Sequence, residues 1–192
     1  MTDLDTPNER LLWLDVETTG LNPWTSDDKL LQVAALATDL DGNEISDSFE
    51  RVVRYDAEQR DAMRDGAVAF VREMHERTGL WGRLPEGTPL GEIDAGLRAF
   101  TTEFAPKPRT ARLAGNSVRL DLNFAEAFLP ATYSHLHYRS IDVSALAFAA
   151  DSWGLTPGYF EKKKSHDALD DIRESVEEYR WVRSHLLARR GR

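Results

Sequence analysis

The residues best suited to chemistry are acids and one histidine: Asp15 and Glu17 in LLWLDVETTGL, Asp121 in GNSVRLDLNF, and His166 and Asp171 in SHDALDDIRES. Asp15 and Glu17 close an apolar run that predicts a buried strand, and the side-chain period of a strand places both carboxylates on one face. Because neighbouring like charges repel and burial adds a desolvation cost, this pair indicates a cation site. Two divalent ions, Mg²⁺ or Mn²⁺, would compensate these charges.

The other three residues lie at two predicted helix starts. Asp121 opens a helix predicted to run through Phe128, where the helix dipole alone is enough to explain an acid. Asp171 lies one turn inside a long amphipathic helix predicted over 167–187, and His166 stands just before that helix. A histidine at this entrance can face the same cleft as the aspartate, and its ordinary pKa of about 6.5 suits a general base. Without further context, Asp15 and Glu17 also fit a solvated turn at a strand end.

The elements that position these residues form an alternating pattern. Strands are predicted at about 11–17, 30–40, 44–54, just before 116, and 140–143, and helices at 57–77, 88–104, 121–128, 144–153 and 167–187. Asp41-Gly42-Asn43 is a tight-turn signal between the second and third strands. The pattern predicts an α/β fold, a mixed sheet with helices on both faces and ligands at the strand ends. Four tryptophans fall in apolar patterns and are predicted to lie in the core: Trp13, Trp81, Trp153 and Trp181. Trp24 is instead predicted at the rim of the site.

Composition limits the class of protein and its partners. A chain of 192 residues suits one domain, predicted over 10–187, with a flexible tail at 1–9 and a flexible basic end at 188–192. The absence of cysteine excludes a thiolate metal site. No apolar run approaches the roughly 18 residues of a membrane span, so we expect a cytoplasmic enzyme without a membrane partner. The net charge of −9 disfavours long polyanions and favours a short substrate held in a pocket.

The order DxE, a central Asp and H-x-A-x-x-D resembles that of the DEDDh exonucleases. Within the DEDDh exonucleases, four blocks are similar to the oligoribonuclease family: DVETTGL at 15–21, GNSVRLD at 115–121, HYRSIDVS at 137–144 and HDALDDIRES at 166–175. A fifth block, MHERTGL at 74–80, is more weakly similar. The resemblance implies a ribonuclease-H-like fold and a 3′–5′ exoribonuclease that hydrolyses short single-stranded RNA, chiefly dinucleotides, to nucleoside 5′-monophosphates. It also implies that two Mg²⁺ or Mn²⁺ ions are held by Asp15, Glu17, Asp121 and Asp171, with His166 as the general base.

The same resemblance implies a set of substrate-binding residues and a homodimer. Leu21 would wedge against bases, Phe70 and His75 would line the side of the 3′ base, Ser117, Arg139 and Ser144 would hold the 5′ phosphate, and Tyr138 would come from the partner subunit.

Two alternatives remain open. Thr18 gives DVETTG, a form more typical of proofreading-type 3′–5′ DNA exonucleases, and Phe70 stands where the resemblance predicts tryptophan. A proofreading-type DNA exonuclease is therefore the main alternative. A non-catalytic nucleic-acid-binding subunit is the second.

Overall fold

The computed structural model describes residues 9–161 and 168–188, and five strands within them form one mixed sheet. The strands are β1 (Arg10–Thr18), β2 (Leu30–Thr38), β3 (Phe49–Val52), β4 (Ala111–Gly115) and β5 (Ile141–Asp142). Their order across the sheet is β3-β2-β1-β4-β5. β1 runs antiparallel to β2 and parallel to β4, so the predicted mixed sheet is confirmed.

Helices cover both faces of this sheet. They are α1 (Ala57–Gly66), α2 (Ala69–Arg77), α3 (Leu80–Arg83), α4 (Leu90–Phe104), α5 (Arg119–Phe128), α6 (Pro130–His135), α7 (Val143–Ser152) and α8 (Ala168–Ala188), with a 3-10 turn at Leu84–Glu86. Leu12 and Leu14 pack on the face that carries α4 and α5. Leu11 and Trp13 pack against α8 on the other face. Because both faces are covered, β1 is a continuous apolar run, and the predicted fold class is confirmed.

The helix predicted over 57–77 is divided into α1 and α2. Ala67 has extended backbone between them, and Gly66, a poor helix former, is the last residue of α1. The break changes the direction of the chain, so α2 buries His75 although α1 buries none of its residues. None of the helices in the described ranges is both long and apolar enough to cross a membrane.

Two further expectations differ from the structure. The third strand begins at Phe49 rather than near 44, because the Ala37 amide is bonded to the Ser46 hydroxyl at 3.0 Å instead of to a backbone carbonyl. The predicted turn before it is confirmed, with Gly42 in the left-handed region at φ 85°. Trp153 is 69% exposed after the end of α7, so its predicted core position is wrong, whereas Trp13 is fully buried as predicted.

Asp94 fixes the helix that leads to the HYRSIDVS segment. Its carboxylate, on α4, accepts hydrogen bonds of 2.8 Å from the backbone amides of Ala131 and Thr132 and from the Thr132 hydroxyl. The first amides of a helix have no partner within the helix, so a carboxylate at this position caps α6. The chain therefore leaves α6 in a fixed direction toward residues 137–144.

Candidate active site

The end of β1 carries the first two predicted acids. The period of two places Asp15 and Glu17 on the face of Trp13, which packs against α8. Pairing of β1 with β2 continues to Thr18, but pairing with β4 stops at Trp13. The Val16 amide on the β4 side is therefore available to a group from outside the sheet.

Asp121 of α5 binds that amide. Its Oδ1 atom accepts a hydrogen bond from the Val16 nitrogen at 3.2 Å, and the residue is only 5% exposed. Burial, and then the negative charge of Asp15 with a smaller contribution from Glu17, raises the pKa of Asp121 well above its usual range. Carboxylate oxygens are the ligand type that hard divalent cations prefer.

A cavity of about 190 Å³ between β1, β4 and α8 joins the first acid to the last. Asp15 and Asp171 both line it, together with Asn116, Glu174 and Ser175. This volume is below the roughly 300–1,000 Å³ of typical small-molecule pockets. The cavity therefore has room for small ions and their waters rather than for a whole nucleotide.

The predicted two-ion site stays a prediction. In the ranges 9–161 and 168–188, no group of three or more His, Asp or Glu side chains is arranged so that it could hold a metal ion. Asp121 interacts electrostatically with Asp15 and Glu17, and Asp171 shares the cavity with Asp15. His166, the predicted general base, lies outside the described residues.

A polar network connects the cavity to the HYRSIDVS segment. The Ser144 hydroxyl donates to the side-chain oxygen Oδ1 of Asn116 at 2.8 Å, and the side-chain nitrogen Nδ2 of Asn116 donates to the Ser175 hydroxyl at 2.8 Å and to the Glu178 carboxylate at 3.1 Å. Ser175 in turn donates to the Asp171 carbonyl oxygen at 2.8 Å. The turn that carries Asn116 is thereby fixed to the helix that carries Asp171. Sequence reasoning missed the roles of Asn116 and Ser175, although Asn116 lies inside the GNS turn.

His75 attaches α2 to the end of β1. Its Nε2 atom lies 2.9 Å from the Thr18 carbonyl oxygen, which can only accept, so Nε2 carries a proton. Nδ1 lies 3.8 Å from the Glu17 carboxylate, and the ring meets the edge of Trp81 with 5.4 Å between centroids. Burial lowers the pKa of His75, so the ring is neutral at neutral pH and its contact with Glu17 is not an ion pair. At 1% exposure, His75 positions α2 rather than presenting a free ring face.

The other predicted substrate residues are mostly on the surface. Leu21, Phe70 and Tyr138 are 76%, 69% and 71% exposed, and Ser117 and Arg139 are exposed as well. Their exposure leaves these side chains accessible to a ligand. The exception is Ser144, whose hydroxyl proton is donated to Asn116.

Comparison with solved structures defines the class of fold. Exonuclease I from Methylocaldum szegediense superposes with a TM-score of 0.68 at 19% identity, over 91% of this chain and 40% of that one. Escherichia coli exonuclease I in complex with a dT13 oligonucleotide gives a TM-score of 0.62 at 16% identity, over 95% and 43%. The chain thus spans about two fifths of these exonuclease I chains. The shared architecture is the ribonuclease-H-like fold of exonucleases.

Sequence comparison narrows the class. The RNase_T exonuclease family model matches residues 12–179. The oligoribonuclease of Leifsonia xyli subsp. xyli is 39% identical over 181 residues, covering 93% of this chain and 84% of that protein. The oligoribonuclease of Neisseria meningitidis serogroup A is 37% identical over 179 residues, covering 92% of each. The chain belongs to the oligoribonuclease family of exonucleases.

Proposed function

We propose that the chain is a 3′–5′ exoribonuclease that hydrolyses short single-stranded oligoribonucleotides, chiefly dinucleotides, to nucleoside 5′-monophosphates. The observation that carries this proposal is the burial of Asp121 close to the charges of Asp15 and Glu17, together with a cavity that Asp15 and Asp171 both line. Exonucleases of this class generally depend on divalent metal ions. The four predicted acids would offer only carboxylate oxygens as metal ligands, which such ions prefer. The cytoplasmic location expected from the sequence stays a prediction.

The four acids would hold two Mg²⁺ or Mn²⁺ ions: Asp15, Glu17, Asp121 and Asp171. Bound ions of this kind lower the pKa of an attacking water and stabilise the leaving 3′ oxygen. His166 would take the proton of that water, because its ordinary pKa lies close to neutral pH. The buried contact between Asp121 and the Val16 amide keeps the central carboxylate aimed at the end of β1.

Short substrates are favoured by charge and by the residues around the cleft. Each added phosphate brings further repulsion from a chain of net charge −9. A guanidinium such as that of Arg139 pairs better with a terminal dianionic phosphate than with a bridging monoanion. Ser117 would donate to the same phosphate, and Ser144 would do so once its hydroxyl turns away from Asn116.

We also propose a homodimer in which Tyr138 reaches the active site of the partner subunit. Its 71% exposure and the Arg139 guanidinium 5.1 Å from its ring centre support a segment that acts on a neighbouring molecule. Leu21 and Phe70 would contact the bases on the other side of the cleft, with His75 holding α2 behind them.

The test measures products from an RNA dinucleotide and from a DNA dinucleotide of the same sequence, with Mg²⁺, with Mn²⁺ and with chelator. We expect metal-dependent release of nucleoside 5′-monophosphates from RNA. Asp15→Asn should abolish this activity, and Asp47→Asn, at an exposed acid between β2 and β3, is the matched control.

A higher rate on DNA would instead favour the proofreading-type alternative, for which Thr18 is the specific observation. Full activity in chelator would contradict the metal mechanism. Tight binding of RNA without hydrolysis would favour the non-catalytic subunit.

A further inference from the structure

The HYRSIDVS segment rests on an ion pair that has no part in the metal site. We propose that Arg112, anchored by Glu9, is a positioning residue that holds His137, Tyr138 and Arg139 in the conformation that binds substrate. This inference rests on the proposed role of Tyr138 and Arg139 in binding the short substrate.

Arg112 uses its guanidinium in two directions. From β4, its Nη2 and Nε atoms lie 2.7 Å and 3.2 Å from the two carboxylate oxygens of Glu9. Its Nη1 atom lies 3.1 Å from Nδ1 of His137. The side chains of Arg112 and Glu9 are only 15% and 20% exposed. A planar guanidinium can hold a carboxylate through two nitrogens and bond a third group at once, which a lysine ammonium cannot do in this geometry.

His137 receives this bond in one defined protonation state. Its Nδ1 atom also accepts a hydrogen bond of 2.9 Å from the Arg139 amide. Because a guanidinium and a backbone amide only donate, Nδ1 is the acceptor and the ring proton is on Nε2. Partial burial, and then the positive charge of Arg112, lowers the pKa of His137, which keeps the ring neutral. The donors on β4 and on residue 139 therefore share one acceptor.

The His137 ring is the first of three side chains that contact one another toward the exposed end of the segment. The rings of His137 and Tyr138 stack with 4.6 Å between centroids and 23° between planes. The Arg139 guanidinium lies 5.1 Å from the Tyr138 ring centre. The His137 amide donates to the Ala111 carbonyl oxygen at 2.8 Å, which fixes the backbone beside β4. Arg112 thus adds the side-chain contact that orients a stack whose outer members are exposed to solvent.

The test compares Arg112→Gln and Arg112→Lys with wild type and with Arg51→Gln, an exposed arginine on β3 at the other end of the sheet. We expect both Arg112 variants to raise KM for a 5′-phosphorylated dinucleotide by roughly 3- to 10-fold, the effect of one lost hydrogen bond, with kcat within about 2-fold. The Arg51 variant should match wild type.

Two measurements separate positioning from a merely structural role. In an Arg139→Ala background, Arg112→Gln should raise KM by less than it does in the wild-type background, because part of its effect acts through Arg139. In the wild-type background, Arg112→Gln should shift the Nδ1 nitrogen resonance of His137, since the ring loses one of its two donors.

An unchanged KM together with an unchanged nitrogen resonance would overturn the inference, as would fully additive effects in the double variant. An unchanged KM in Arg139→Ala alone refutes the proposed substrate role of the segment. The Nδ1 resonance of His137 reports on the contact with Arg112 independently of KM. It therefore distinguishes loss of the substrate role of Arg139 from loss of the Arg112 contact.

Discussion

Replacing Asp121 with asparagine should make the metal-free protein more stable while removing its response to metal. The pKa of this carboxyl is raised in the fold by burial and by Asp15. Its protonated form therefore stabilises the fold at low pH, and that stability is lost as the pH rises through the raised pKa. Above the ordinary pKa of an aspartate, burying this carboxyl therefore costs stability, and Asp121→Asn removes that cost. The asparagine oxygen can still accept the Val16 hydrogen bond, so the packing is retained.

The metal response has a calculable size. A ligand at 100 times its dissociation constant stabilises the fold by about 2.7 kcal/mol. At about 2–4 °C per kcal/mol for a domain of this size, wild type should gain roughly 5–11 °C in Tm. If Asp121→Asn weakens binding about 100-fold, the same metal concentration gives only about 0.4 kcal/mol, or roughly 1–2 °C.

The assay is thermal unfolding followed by circular dichroism, in chelator and in Mg²⁺, at about pH 5 and about pH 8. In chelator, the rise in pH should lower the Tm of wild type more than that of Asp121→Asn. Asp47→Asn, an exposed acid, should behave like wild type. A lower Tm of Asp121→Asn than of wild type in chelator at the higher pH would refute the burial cost at Asp121, and a gain in Mg²⁺ equal to that of wild type would refute its role as a metal ligand.

Three further changes test separate parts of the site. His166→Ala should lower kcat by about 10²- to 10⁴-fold with little change in the metal concentration at half-maximal rate; an equal collapse of both would make His166 a ligand. Arg139→Ala should weaken dinucleotide hydrolysis by about 1.5–3 kcal/mol in kcat/KM, and an equal loss on a dinucleotide without 5′ phosphate would contradict phosphate pairing. Asp94→Ala leaves the Ala131 and Thr132 amides without their carboxylate acceptor and should cost about 3 kcal/mol of unfolding free energy in urea titration; a change as small as that of the exposed Glu92→Gln control would disprove the cap.

Much of the fold follows from local pattern. The apolar run before Asp15 predicts β1, and the spacing of Leu90, Ile93 and Leu97 predicts α4, because burial acts on every member of such a pattern. Predictions from such patterns are wrong where the backbone conformation changes at a single residue or where a helix ends. The extended backbone at Ala67 divides one predicted helix into two, and the 69% exposure of Trp153 reflects its position just past a helix end.

The sequence predicts a set of site residues but not the contacts between them. The motif order predicts Asp121 as a site residue, yet its bond to the Val16 amide joins positions 105 residues apart and has no local signal. The ion pair of Glu9 with Arg112 also has no local signal in the sequence, because an acid in a predicted tail and an arginine in a strand are each compatible with a solvated surface. Such contacts depend on how β1, β4 and α5 pack, which is a property of the whole fold.

Substrate length tests the central claim most directly. Initial rates should be measured in Mg²⁺ on a 5′-phosphorylated RNA dinucleotide and on a strand of about 20 nucleotides with the same 3′ end. The net charge of −9 and the proposed phosphate contact of Arg139 predict a higher kcat/KM for the dinucleotide, with no hydrolysis of either in chelator. A longer strand degraded as readily as the dinucleotide would contradict this account.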